Sequence, residues 1–151
     1  MDQAEFTAFY NQTAPALRGY IRRVSGQPDA ADDLVQETYL RFLRAKPNLN
    51  DPAAMKAYMY KTATASIYDR WRKQQRERSW WSMFRFQEAT PPAPTGDVGR
   101  CFQKLKPRDR ALLSLAYVEG CAHHEIAQTL GLSEKSIKVL LFAPAATWNR
   151  F

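Results

Sequence analysis

The apolar positions in the first part of the chain recur at steps of three and four residues, which is the period of an amphipathic helix. The first such run consists of Phe6, Phe9, Tyr10, Thr13, Leu17, Tyr20, Ile21 and Val24. Pro15 lies within it and predicts either a kink or the start of a second helical piece. After the turn "SGQPD", for which Asp29 is the predicted helix cap, a second stripe consists of Ala31, Val35, Tyr39 and Phe42.

A third helix is predicted from its starting signal. The segment "KPNLNDP" interrupts the second stripe, and Asp51 as cap followed by Pro52 favours a new helix. This helix is expected to extend to about Arg78, with a core face of Met55, Met59, Ala63 and Ile67. From Ser79 to Gly99 no period persists, and "PPAP" favours an extended spacer. We therefore expect one domain over residues 1–87, a linker over 88–96 and a second domain over 97–151.

The second domain is also predicted to be helical. A short helix is expected around Phe102, and Pro107 is expected to start another that ends at Glu119 and Gly120. Within "HEIAQTLGLSEKSIKVLL", Gly131 suits a turn that needs positive φ, and Ser133 suits the next helix cap. With the small Ala127 before the turn and Ile137 after it, the pattern is typical of a helix-turn-helix, with a plain helical hairpin as the alternative. The predicted fold class is all-α, with two small helical domains.

Composition narrows the class of protein. An apolar content of 45% excludes a fully disordered chain. The longest apolar run, residues 139–146, contains Pro144, so no membrane insertion is expected. The start of the chain lacks the pattern of an export signal, which favours a cytoplasmic location. The net charge is +7, and the parts before and after Glu88 are both basic, as suits a polyanionic partner.

Candidate catalytic chemistry is sparse. The segment "CAHHE" resembles a metal cluster, but a zinc protease helix needs a second His where Gln128 stands. His123 and His124 would point about 100° apart on a helix. No glycine-rich phosphate loop, nucleophile elbow or plausible triad is present elsewhere. We expect no enzymatic activity, no metal or other cofactor and no small-molecule substrate. Cys101 and Cys121 are expected to be buried small apolar residues.

Three segments together resemble a known family. They are "DAADDLVQETYLRFLRA" (residues 29–45), "AYMYKTATASIYDRWRK" (57–73) and "LKPRDRALLSLAYVEGCAHHEIAQTLGLSEKSIK" (105–138). They resemble, in order, the second region, the following helix and the fourth region of bacterial sigma factors of the extracytoplasmic-function group. The run "AYMYKTAT" is similar to the subgroup tied to iron-siderophore uptake. The resemblance implies a region 2-like helical bundle and a region 4-like helix-turn-helix.

This resemblance implies roles for particular residues. It implies that the first domain binds core RNA polymerase through the second helix, by Asp33, Gln36, Glu37 and Arg41. These four lie off the apolar stripe and should be exposed. It implies that the third helix meets the minus-ten promoter element, and its cations suit DNA phosphates: Lys61, Arg70, Arg72, Lys73, Arg76 and Arg78. Trp71 suits either base stacking or core packing. The fourth region would contact DNA through Ser133, Lys135, Ser136 and Lys138.

The chain also departs from the family pattern. Ala65 stands where the family usually has Asn, and Ala122 stands where it has Ser or Thr as a cap. After Lys138, an apolar run to Pro144 replaces the usual basic residues, and the helix should end by Ala143. The first hypothesis is a sigma factor that binds core polymerase, promoter DNA and an anti-sigma factor. The alternatives are a sigma-like interaction protein with weak or absent minus-thirty-five recognition, and a plain helix-turn-helix regulator.

Overall fold

The computed structural model describes residues 2–47, 51–82 and 96–142. Over these residues the chain forms helices and no strands, as the all-α prediction required. The elements are α1 (Gln3–Ser25), α2 (Pro28–Ala45), α3 (Pro52–Ser82), α4 (Gly96–Lys104), α5 (Pro107–Leu113), a π-helical turn (Ser114–Val118), α6 (His123–Leu130) and α7 (Glu134–Leu141).

Helix α1 is capped at both ends. The Asp2 carboxylate accepts a hydrogen bond from the Glu5 N–H at 2.7 Å, and the Glu5 carboxylate accepts one from the Asp2 N–H at 2.9 Å. Gly26, with φ of 67°, ends the helix. Pro15 does not start a second piece, so that part of the prediction is wrong, because α1 is continuous through the proline.

The starts of α2 and α3 differ in how well the sequence predicts them. Asp29 was expected to cap α2, but the helix begins at Pro28 and Gln27 is the cap residue. Asp29 lies in the first turn, where its charge favours the helix dipole. For α3 the prediction is confirmed, since the Asp51 carboxylate accepts from the Ala54 N–H at 2.6 Å. Helix α3 continues to Ser82, beyond the expected end at Arg78.

Helices α1, α2 and α3 pack into a bundle whose core consists of the apolar residues predicted from the sequence to face inward. The residues buried in it include Leu17, Tyr20, Ile21, Val24, Ala31, Val35, Tyr39, Phe42, Met59, Ala63 and Ile67. The rings of Phe9 and Phe42 stack at 5.1 Å between centroids. The hydroxyl groups of Tyr20 and Thr64 are hydrogen-bonded at 2.7 Å, so the polar end of the fully buried tyrosine is satisfied.

The segment after Pro107 contains one element that the sequence pattern does not predict. Helix α5 starts at Pro107 as expected, but it is followed by a π-helical turn in which the Glu119 N–H donates to the Ser114 carbonyl at 2.9 Å. Such a turn holds one residue more than an α-helical turn. Gly120, with φ of 64°, follows it, which confirms the predicted end.

The two cysteines were expected to be buried, and this prediction is wrong. Cys101 is exposed and Cys121 is half-buried. Cys101 is exposed because it lies on the solvent-facing side of α4. Its neighbours Arg100, Gln103 and Lys104 are also exposed, and Phe102 is half-buried. Burial raises the pKa of the Cys121 thiol, and the nearby charge of Glu125 adds to this.

The helices on either side of residues 83–95 share one core. Helix α5 packs on α1 and α3, and α6 packs on α3. Leu112, Leu115 and Ile126 are almost completely buried in the same cluster as Leu17 and Met59. None of the helices in the described ranges has the length and apolar character needed to cross a membrane.

Candidate nucleic-acid and polymerase interfaces

Helices α6 and α7 form the predicted helix-turn-helix. Gly131 adopts φ of 68° and ends α6, and Ser133 caps α7 by accepting from the Ser136 N–H at 3.1 Å. Ile126 and Ile137 are fully buried, one on each helix, so the two helices pack across the turn. The interruption of the helical pattern at Gly131 is therefore the turn that joins two short helices packed against each other.

The start of α6 shows how the chain compensates for its unusual cap. Ala122 has no side-chain acceptor, but the Glu125 carboxylate accepts from the Ala122 N–H at 2.8 Å. His123 is half-buried and His124 is exposed. In the ranges that can be described, no three His, Cys, Asp or Glu side chains form a group that could hold a metal ion.

The exposed polar face of α7 is small. Lys135 and Lys138 are exposed, and the hydroxyl groups of Ser133 and Ser136 are hydrogen-bonded to each other at 2.8 Å. Lysine holds phosphates as a point charge but lacks the planar fork by which arginine binds guanine at two points. This face therefore suits contact with a DNA backbone better than recognition of particular bases.

Apolar side chains on α7 remain uncovered by the described part of the chain. Val139 is 64% exposed and Phe142 is 72% exposed, whereas Leu140 and Leu141 are half-buried. The helix ends at Leu141, within the expected limit of Ala143. Pro144 and the rest of the C-terminal segment lie outside the described residues, as do residues 83–86.

Helix α3 presents a line of cations to solvent. Lys61, Arg72, Lys73, Arg76 and Arg78 are exposed, and Arg70 is half-buried. Arg72 pairs with Asp69 at 3.3 Å, but both side chains remain more than half exposed. Lys61 and Arg76 are separated by about 22 Å at the rise of an α-helix. Ala65 lies on this exposed face, and Trp71 is half-buried.

The polymerase-binding residues expected on α2 lie on one surface. Asp33, Gln36 and Arg41 are exposed, Glu37 is partly exposed, and the Arg41 guanidinium donates to the Glu37 carboxylate at 2.7 Å. Leu40 and Leu43 are exposed on the same helix. The sequence reasoning missed these two leucines, although an apolar residue off the buried stripe was a signal. Apolar side chains among charges are typical of a protein-binding surface.

Comparison with known proteins identifies this arrangement. The family model of Sigma-70 region 2 matches residues 9–77, and that of Sigma-70, region 4 matches residues 95–143. The chain belongs to the sigma-70 family. Region 2 of this sigma factor thus comprises most of α1 to α3, and region 4 comprises α4 to α7.

The similar proteins narrow the group. The sigma factor is 28% identical over 130 residues to the ECF RNA polymerase sigma factor SigF of Caulobacter vibrioides, covering 83% of this chain and 73% of the relative. It is 28% identical over 148 residues to SigL of Mycobacterium tuberculosis, covering 91% and 82%. These relatives support its membership of the extracytoplasmic-function group.

A solved structure has the same fold. It is the sigma factor RpoE in complex with the anti-sigma factor NepR from Bartonella quintana, with a TM-score of 0.74 and 22% identity. The match covers 95% of this sigma factor and 93% of that chain. The resemblance therefore extends over both regions of the fold.

Proposed function

We propose that this chain is an alternative sigma factor that binds core RNA polymerase in the cytoplasm and directs promoter-specific initiation without catalysing a reaction itself. The observation that carries the proposal is the presence in one chain of the cationic face of α3 and the helix-turn-helix of α6 and α7, within matches to regions 2 and 4.

Run-off transcription with purified core polymerase tests this function. Adding the chain should produce a discrete transcript from a cognate promoter that core polymerase alone does not make. Promoter candidates are taken from a random promoter library. A complete absence of chain-dependent transcripts, with polymerase binding intact, would instead favour a sigma-like interaction protein.

The cationic face of α3 is proposed to hold DNA near the minus-ten element. Free chain should bind duplex weakly, because its affinity comes mainly from exposed arginine and lysine side chains on phosphates. Trp71 is half-buried, which supports a mainly structural role. Ala65 offers no polar group on this face, so the contribution of that position to base recognition is absent.

Salt dependence measures the phosphate contacts. Replacing Arg72, Lys73 and Arg76 with glutamine should reduce the slope of log affinity against log salt by about 2.7, at about 0.9 for each contact. The matched control replaces Arg44, Lys46 and Lys104, which are exposed elsewhere and carry the same total charge. An unchanged slope in the α3 variant, or an equal decrease in the control, contradicts the assignment.

Region 4 is proposed to recognise the minus-thirty-five element weakly. Across randomised minus-thirty-five sequences, the full chain should discriminate by less than about 3 kcal/mol, the most expected from one good bidentate contact. Lys138→Arg, which supplies a bidentate donor at an exposed position, should increase the preference for guanine. Stronger discrimination by the unmodified chain would show that α7 recognises bases well despite its composition.

A second candidate function follows from the exposed Val139 and Phe142. We propose that an anti-sigma protein covers them, because exposed apolar patches on a small domain are typical of protein contacts. The similar sigma factor RpoE was solved in complex with the anti-sigma factor NepR, which supports this choice of partner. If protein contact is the main role of region 4, transcription should proceed equally from promoters that lack a minus-thirty-five element.

The finer classification and the domain limits are part of the same proposal. The run "AYMYKTAT" supports the subgroup tied to iron-siderophore uptake. The limits proposed are residues 1–87, a linker over 88–96 and residues 97–151.

Limited proteolysis tests the limits. The first cuts should fall between Glu88 and Gly99, because "PPAP" and its neighbours lack a helical pattern. The products are identified by intact mass. Early cleavage inside residues 32–44 would mean that the boundary is misplaced.

A further inference from the structure

The buried side of helix α3 ends before the helix does. In the second half of the helix this side consists of residues at steps of three and four positions: Ala63, Ile67, Arg70, Trp71 and Gln74. The first two of them are buried and the other three are half-buried. From residue 75 to residue 80 every side chain is exposed. Arg76 and Arg78 therefore lie beyond the last half-buried position that the structure describes in α3.

Gln74 is joined by two hydrogen bonds to Gln27, which lies in the turn between α1 and α2. Nε2 of Gln27 donates to Oε1 of Gln74 at 3.0 Å, and Nε2 of Gln74 donates to Oε1 of Gln27 at 2.9 Å. The two planar amides form a closed ring, so the two bonds fix the angle between the side chains as well as their separation. We call these two residues the glutamine pair.

The backbone of Gln27 is itself held in place. Its N–H donates to the Ser25 hydroxyl at 3.3 Å, and its carbonyl accepts from the Ala30 N–H in α2 at 3.1 Å. The preceding residue, Gly26, ends α1 with a positive φ and donates its N–H to the Arg22 carbonyl at 3.1 Å. Gln27 is thus a fixed point of region 2, against which the glutamine pair can orient α3.

The glutamine pair affects the direction of α3 more than the stability of the fold. Its two bonds are solvent-exposed, and hydrogen bonds between neutral groups add little to the free energy of unfolding when water can replace them. The geometric effect is larger. Arg78 lies about 16 Å along the helix from the buried Ile67, so a tilt of about 10° moves it by about 3 Å, the length of a hydrogen bond.

We propose that the glutamine pair positions the end of α3 so that Arg76 and Arg78 meet DNA phosphates next to the minus-ten element. Gln27 and Gln74 are positioning residues that act through the two arginines and do not touch DNA themselves. The part that concerns DNA rests on the proposed function, whereas the orientation of α3 by the pair does not.

The salt dependence of DNA binding tests the proposal without removing a cation. Gln27→Met and Gln74→Met each keep an unbranched side chain, remove the amide and leave the net charge unchanged. Each should lower the slope of log affinity for a mixed-sequence duplex against log salt by about 0.9 to 1.8, the value for one or two lost phosphate contacts. The matched control is Gln75→Met, at the exposed neighbour outside the pair, and it should leave the slope unchanged.

Two combined variants show whether the pair acts through the arginines. In a chain that carries Arg76→Gln and Arg78→Gln, adding Gln74→Met should cause no further decrease of the slope. A further decrease of the same size contradicts a role through Arg76 and Arg78. Gln27→Lys with Gln74→Glu replaces the two amides by an ion pair without changing the net charge, and it should restore the slope of the parent chain.

Spin labels on the free full-length chain measure the orientation of α3 in the absence of DNA. They are placed at Gln12→Cys and Glu77→Cys, exposed positions of α1 and α3, with Cys101→Ser and Cys121→Ala as background. In both methionine variants of the glutamine pair the distance distribution should broaden by about 3 Å, the displacement expected for a tilt of about 10°. It should match the parent in the Gln75→Met control and in the ion-pair variant. Circular dichroism should show equal helix content throughout.

The outcomes separate this proposal from the proposed function. An unchanged distribution in both methionine variants of the pair, or equal broadening in the Gln75→Met control, overturns the orientation of α3 by the glutamine pair. Broadening with an unchanged salt slope overturns the role of the pair in DNA binding. If the chain with Arg76→Gln and Arg78→Gln keeps the slope of the parent, the DNA-binding face of the proposed function fails, whereas broadening in the labelled variants still supports the orientation.

Discussion

Replacing Asp33 and Glu37 together with lysine is expected to abolish binding to core RNA polymerase while leaving the helix content of the chain unchanged. Both side chains lie on the surface of α2, and the variant inverts the charge of the face that also carries exposed Leu40 and Leu43. Like charges brought together at an interface cost several kcal/mol. The Glu37–Arg41 pair that is lost is exposed and of the i,i+4 type, which contributes only about 0.5 kcal/mol to folding.

The measurement is a pull-down of core polymerase by tagged chain in the absence of DNA. The control variant, Asp69→Lys with Glu77→Lys, makes the same change of charge on exposed positions of α3. It should recover as much polymerase as the parent chain. Equal recovery by the α2 variant would refute the assignment of this surface.

Replacing Arg110 with methionine is expected to lower the free energy of unfolding by about 3 kcal/mol. Methionine retains the apolar stem but leaves the carbonyls of Val24, Leu105 and Gln103 without their charged donor. Hydrogen bonds to charged groups contribute about 1.5–3 kcal/mol each. The expected loss of stability is smaller than the sum of these contributions, because burial also disfavours the guanidinium cation, as the lowered pKa of Arg110 indicates.

Denaturant unfolding of the full chain, followed by circular dichroism, checks this value. Arg108→Met is the control, since Arg108 is more than half exposed and its contact with Asp109 is long, at 3.5 Å. It should change stability by less than about 0.5 kcal/mol. A similar decrease in the free energy of unfolding in both variants would mean that Arg110 stabilises the chain through its positive charge alone and not through its contacts with carbonyl groups.

Local signals predicted the helices and most of their ends. Asp51 caps α3 and Gly131 ends α6, as predicted. Both effects are local, because the Asp51 carboxylate accepts from a backbone N–H three residues away and Gly131 only has to adopt a positive φ. Asp29 failed as a cap because Pro28 next to it takes the first helical position. Pro15 failed to divide α1 because the buried Ala14 and Leu17 on either side hold one continuous helix against the core.

The exposed candidate residues were predictable to the extent that they lie off an apolar stripe, as Asp33 and Gln36 do. The contacts between the regions were not. Arg110 meets Val24 from 86 positions away, and Arg23 meets Glu119 from 96. Periodicity describes which face of a helix is buried but not which other helix covers it. The core that the two regions share was not predictable from the sequence for the same reason.

The π-helical turn sets the angular phase between the two halves of region 4. Each residue of an α-helix advances the chain by about 100° about its axis, and the turn at residues 114–118 inserts one extra residue into that count. Glu119 follows immediately, and its carboxylate accepts from the Tyr60 hydroxyl at 3.2 Å. Deleting one residue here is expected to rotate the Glu119 carboxylate by about 100° and so to take it away from Arg23 and Tyr60. The number of residues in this turn, and not only their identity, therefore determines whether Glu119 reaches its partners.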